Sequence, residues 1–150
     1  MNKEFVMRGQ TASDVQEVLN FSGCKPGYAY RMTEFQLYPS TNIGGVNVEL
    51  SATITSAKTY EDPSNPNFNN EGLIAVANYQ GNYNVAYQST PSTSVINDTF
   101  LITQNLILAV IDTVSGAPTA VNWQCRFVAE KMSGPEEAVA NYKQFTISDG

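Results

Sequence analysis

The sharpest alternation of apolar and polar positions lies in residues 121–130. Val121, Trp123, Cys125, Phe127 and Ala129 share one phase, and Asn122, Gln124, Arg126 and Glu130 share the other, with Val128 the exception. Successive side chains leave a strand on opposite faces, so this pattern predicts a strand with one core face and one wet face. Residues 106–111 are apolar in both phases, as in a strand covered on both sides. Turn residues fill 112–118 between them, and the two runs are expected to pair as a hairpin at the centre of the core.

The same reading predicts strands over residues 15–21, 28–38, 46–55, 72–79 and 95–103. The run 46–55 is the cleanest of these, with Val46, Val48, Leu50, Ala52 and Ile54 alternating against polar positions. In 28–38 the phase slips: Tyr28, Tyr30 and Met32 fall in one register and Phe35 and Leu37 in the other. A slip at Thr33 and Glu34 predicts either a β-bulge or a strand that bends from one sheet to the next. Residues 1–10 hold a short apolar run, Phe5, Val6 and Met7, suited to an edge strand or to an arm lying on something else. Residues 58–71, rich in Pro and Asn, form the longest irregular stretch. Ser133, Pro135 and Glu136 make a helix start with a capping residue and an early proline, so one short C-terminal helix is expected, followed by a last strand near Phe145 and Ile147. Eight or nine strands separated by turns predict an all-β fold over residues 1–150, a single-domain β-sandwich of jelly-roll type. Residues 1–10 are its possible N-terminal arm and 133–150 its C-terminal helix and tail.

Composition sharpens this picture. Charged residues are only 15% of the 150 against 42% apolar, so much of the polar surface must be built from Asn, Ser, Thr and Gln. The net charge is −6, and the eight cations are spread singly along the chain, which argues against nucleic acid and against an anionic membrane surface as partners. No apolar run approaches the ~20 residues that span a bilayer, and no leader-like segment opens the chain, so synthesis in the cytosol is expected. Cys24 and Cys125 read best as two buried thiols, Cys125 lying on the apolar phase beside Trp123; a disulfide between them is the alternative.

Histidine is absent, which removes His-based triads and the commonest zinc ligand. No catalytic, cofactor-binding or metal site is expected. A carboxylate pair for glycoside hydrolysis would have to come from Glu34, Glu49, Asp98, Asp112 and Glu130, of which Glu49 and Glu130 fall on wet strand phases, where solvated surface charge explains them equally well. Asp62, Ser64, Asn65 and Asn67 offer oxygens at calcium-loop spacing but lack the glycine and glutamate of such a loop, and side chains that cap their own turns explain them too. Asn20 and Asn97 head glycosylation triplets that carry no weight without a secretion signal. Tyr79, Tyr83 and Tyr87 recur every fourth residue in a polar region. They are candidates for a surface aromatic patch that stacks on sugar or anchors a protein, against the simpler reading of half-buried strand tyrosines.

Segments VLNFSGCKPGYAYR (18–31), EFQLYPSTNIGG (34–45), DPSNPNFNNEGLIA (62–75), VINDTFLITQNLIL (95–108), NWQCRF (122–127) and EEAVANYKQFTISDG (136–150) together resemble small virion structural proteins of marine tailed bacteriophages. The resemblance implies a protein without enzymatic activity or cofactor that decorates or cements a capsid. Its partners would be the major capsid protein and copies of itself in a symmetric oligomer such as a trimer. Apolar residues near the chain ends are then the expected docking elements: Phe5, Val6 and Met7, with Tyr142, Phe145 and Ile147. Packing within the domain is the simpler use for them. A tail, neck or fibre component of the virion is the alternative within this class, and a carbohydrate-binding β-sandwich module is the alternative outside it.

Overall fold

The computed structural model of the chain describes residues 3–21, 27–40, 48–56, 61–81, 89–112 and 120–132. Eight strands lie among them: β1 (Lys3–Ala12), β2 (Gln16–Leu19), β3 (Tyr28–Pro39), β4 (Val48–Ser56), β5 (Leu73–Gly81), β6 (Ser89–Ile96), β7 (Leu106–Asp112) and β8 (Ala120–Lys131). They form two antiparallel sheets, a three-stranded one in the order β1-β8-β3 and a five-stranded one in the order β2-β7-β4-β5-β6. No helix occurs among the described residues. The predicted C-terminal helix, the last strand and the docking candidates Tyr142, Phe145 and Ile147 lie outside those residues, as do Cys24, Tyr83 and Tyr87.

One core cluster draws on both sheets, as in a β-sandwich. Met32, Phe35, Leu37, Trp123, Cys125 and Phe127 come from the smaller sheet and meet Leu50, Ile54, Leu106, Leu108 and Val110 from the larger. The alternation in β8 is realised as predicted, with Trp123, Cys125 and Phe127 inside and Asn122, Gln124 and Arg126 partly exposed.

The hairpin expected between residues 106–111 and 121–129 does not form. β7 pairs with β2 and β4, and β8 with β1 and β3, so the two strands sit in opposite sheets. Each is flanked on both sides by other strands, which leaves neither an edge for the other to occupy. The double-phase apolarity of β7 reflects this central place: Leu106, Leu108, Ala109 and Val110 are all buried.

The phase slip in β3 is a bulge. The register against β8 shifts between Met32 and Glu34, Thr33 is the extra residue, and both Met32 and Phe35 point into the core. Of the strand expected over residues 95–103 only Val95 and Ile96 are strand, as the end of β6, which begins at Ser89; the side chain of Asn97 then accepts from the Thr99 backbone and hydroxyl and turns the chain. Beyond the turn, Ile102 bridges to Tyr30 with backbone bonds of 2.8 and 2.9 Å. The chain thus leaves the β6 edge of one sheet and touches the β3 edge of the other.

β1 is built into the sandwich. Its inner phase, Phe5, Met7, Gly9 and Thr11, faces the core. Phe5 stacks on Phe127 at 5.3 Å and meets Tyr30 edge-on at 5.3 Å, and Phe21 closes this four-ring cluster. Gly9 lies opposite Trp123, where a Cβ would stand 2.9 Å from the indole ring. Thr11 accepts the indole N–H at 3.0 Å and bonds in turn to Glu17 of β2. The ring that fills the core therefore has its one polar atom satisfied.

Candidate functional site

The outer face of the three-stranded sheet is set by the wet phases of its strands: Glu4, Val6, Arg8 and Gln10 of β1, Asn122, Gln124, Arg126 and Glu130 of β8, and Arg31, Glu34, Gln36 and Tyr38 of β3. Antiparallel register lays these in transverse rows. Arg8 donates to Gln124, and Gln10 to Asn122 at 3.0 Å. Arg126 holds Glu34 at 2.9 Å and reaches Glu4 at 3.7 Å. Arg31 holds Glu130 at 2.9 Å and donates to the Asp98 carbonyl at 3.3 Å.

Two consequences follow. The chain has three arginines, Arg8, Arg31 and Arg126, and all three stand on this face. Glu4, Glu34 and Glu130 balance them there, so the face is neutral although the chain carries −6. Residues scattered singly in sequence are gathered in space. The signal was present in the strand phases, since each arginine sits at a polar position, but strand order was needed to bring them together. The face also carries Tyr38, 66% exposed, and Val6, 40% exposed.

Of the three expected docking residues on β1, Phe5 and Met7 turn inward and pack against the core, and Val6 points out. The reason is the period of the strand: neighbours on one strand cannot share a face. Tyr79 is not a surface residue either. It is 9% exposed, shares the inner phase with Ala77, pairs with Leu50, and lies 5.9 Å from the ring of Tyr38. Burial, and secondarily the nearby Tyr38, push its hydroxyl pKa up. The patch expected of Tyr79, Tyr83 and Tyr87 thereby loses its first member.

The irregular stretch folds around Glu61. One carboxylate oxygen accepts the Asn67 N–H at 3.0 Å and the other the Asn70 side-chain amide at 2.9 Å. Asp62, Asn67 and Asn70 each accept the backbone N–H two residues on. Asp62, Ser64 and Asn67, which suggested a calcium loop, thus use side-chain oxygens in the loop's own turns, and the Ser64 bonds hold the Asp62 carboxyl below its ordinary value. Thr53 of β4 donates to the Glu61 carbonyl at 2.9 Å and fixes the loop over the larger sheet. Between loop and sheet run two adjoining clefts of about 230 and 210 Å3, both bordered by Val76 and Val95. Ser64 and Asn78 line the first, and Phe68, 63% exposed, lines the second.

Of the carboxylates considered for catalysis, Glu34 and Glu130 are paired with arginines, and Asp112 accepts the Glu49 N–H at 3.3 Å. Cys125 is a free, buried thiol whose pKa burial pushes well above its ordinary range. No protein-family model matches the chain, and no curated protein matches it.

Proposed function

We propose that the chain is a non-enzymatic structural component of a phage virion. It docks on the outer capsid surface by the outer face of its three-stranded sheet, and decorates or cements the shell. The observation that carries this reading is that Arg8, Arg31 and Arg126 all stand on one charge-balanced sheet face, which also presents exposed Tyr38 at its end. Arg and Tyr are the residue types that concentrate at the energetic centre of protein interfaces. Charges that arrive already paired cost less to cover than bare ones.

The strand order supports a jelly roll. The runs β1-β8-β3 and β2-β7-β4-β5 are neighbours in the two sheets of that fold, and Ile102, just past β6, lies at the β3 edge that the sixth strand would occupy. Jelly rolls recur in viral capsid and lectin domains. The resemblance to virion proteins of marine tailed phages points the same way, and an acidic chain suits an outer position better than one lining packaged DNA. By binding only assembled shell, such a protein stabilises it through mass action.

Quantitative mass spectrometry of purified particles of the source phage tests this reading. Copies in a fixed ratio near that of the major shell protein support it. A few copies per particle move the chain to the tail, neck or a fibre, and absence from particles overturns it. Tyr38→Ala is expected to weaken binding to shells lacking the protein by about tenfold or more, with the far-UV circular dichroism of the folded chain unchanged. One observation favours a second reading, a carbohydrate-binding module: exposed Phe68 beside the cleft under the 61–72 loop. A glycan-array signal lost in Phe68→Ala would support that reading.

A further inference from the structure

We propose that β1 is a self-pairing edge, at which two copies of this chain join antiparallel strands about a twofold axis through Val6. Four strand edges bound the two sheets among the described residues. Three carry devices that discourage pairing. β2 is only four residues long. β6 contains Pro91, which has no N–H, and its register against β5 slips. β3 is bulged at Thr33 and bridged by Ile102. β1 runs ten residues with an unbroken register against β8 and contains no proline.

What selects a second copy is the sequence of the strand. About Val6 the run Glu4, Phe5, Val6, Met7, Arg8 is symmetric in apolarity and antisymmetric in charge. Antiparallel pairing centred on Val6 sets Glu4 of each copy opposite Arg8 of the other, Val6 against Val6, and Phe5 against Met7. Glu4, Val6 and Arg8 all lie on the outer face, and Phe5 and Met7 on the inner, so every pair matches face with face. Registers one residue away set inner positions against outer ones and are excluded by the period of the strand. Among face-matched registers, centring on Phe5 sets Glu4 against Val6, centring on Met7 sets Val6 against Arg8, and centring on Arg8 sets two arginines together. Only the Val6 register pairs opposite charges.

The product is a six-stranded sheet continuous across the dimer, with the arginine-bearing face doubled in width. The closure is isologous, giving a dimer in place of the trimer that the resemblance suggested. The pairing rests on strand order and sequence, so it holds or fails in solution whatever the chain is found to bind.

Sedimentation velocity on the purified full chain over a range of concentrations, with Glu4→Arg, Arg8→Glu and the double variant, decides it. The wild type is expected to dimerise. Each single variant sets like charges opposite one another twice and is expected to weaken the dimer by at least about tenfold. The double variant restores both pairs and is expected to recover the dimer. Far-UV circular dichroism and Trp123 emission establish that each variant is folded. A monomeric wild type, single variants that dimerise as well as wild type, or a folded double variant that stays monomeric would each overturn the proposal.

Discussion

Gly9 and Trp123 face each other across β1 and β8, and the geometry leaves no room for a methyl group. The nearest ring atom is 2.9 Å from where a Cβ would stand, and the indole cannot swing away without losing its bond to Thr11. Gly9→Ala is therefore expected to destabilise the fold by about 1–3 kcal/mol, read from urea denaturation followed by Trp emission. Asp62 gives a pH-dependent counterpart on the surface. Its folded pKa lies below the ordinary 3.8 because Ser64 donates two hydrogen bonds to the carboxylate. The turn's stabilisation is therefore fully present above 3.8 and lost as pH falls through the lowered value. Protection of the Ser64 amide against hydrogen exchange should drop on acidification through that range, and Asp62→Asn should remove the dependence.

At the scale of elements, local pattern located strands well and partners poorly. The bulge in β3 was legible because Met32 and Phe35 fall in opposite phases. The same arithmetic makes a prediction. Deleting Thr33 leaves Tyr30, Met32, Phe35 and Leu37 on one unbroken phase and should be tolerated. Deleting Gln36 forces Phe35 or Leu37 to the wet face, and should cost more than about 3 kcal/mol, as thermal unfolding of both variants would report. The β7–β8 hairpin was misread because turn chemistry at 112–118 reports only that the chain turns, not which sheet it rejoins. β6 escaped notice because Ser89, Thr90, Ser92, Thr93 and Ser94 carry no apolar period, and an edge strand needs little of one. The arginine-bearing face was half legible: polar positions marked Arg8, Arg31 and Arg126 individually, whereas their place on one face follows from pairing between residues more than ninety positions apart.

For the whole molecule, the place of β1 changes what a truncation can mean. Removing residues 1–8 takes Phe5 from its ring cluster and uncovers Phe127 and Cys125. Loss of a fully buried large ring costs about 3–5 kcal/mol, and the truncation removes partly buried Phe5 and Met7 together with most of the β1–β8 pairing, against the ~5–15 kcal/mol that holds a domain together. The truncated chain is expected to lose near-UV circular dichroism, so a loss of shell binding by it would report unfolding; Val6→Glu is the substitution that spares the core. A last consequence lies in the order of manufacture. β8 is the middle strand of its sheet, and β1 and β3 meet only through it. On the ribosome β2, β4, β5, β6 and β7 of the larger sheet emerge before β8, whereas the smaller sheet has no centre until β8 is made. At ~5–20 residues per second the stretch from Ala12 to Ala120 takes roughly 5–20 s to synthesise. For that interval β1 of every nascent chain waits, its Phe5 and Met7 uncovered, for β8.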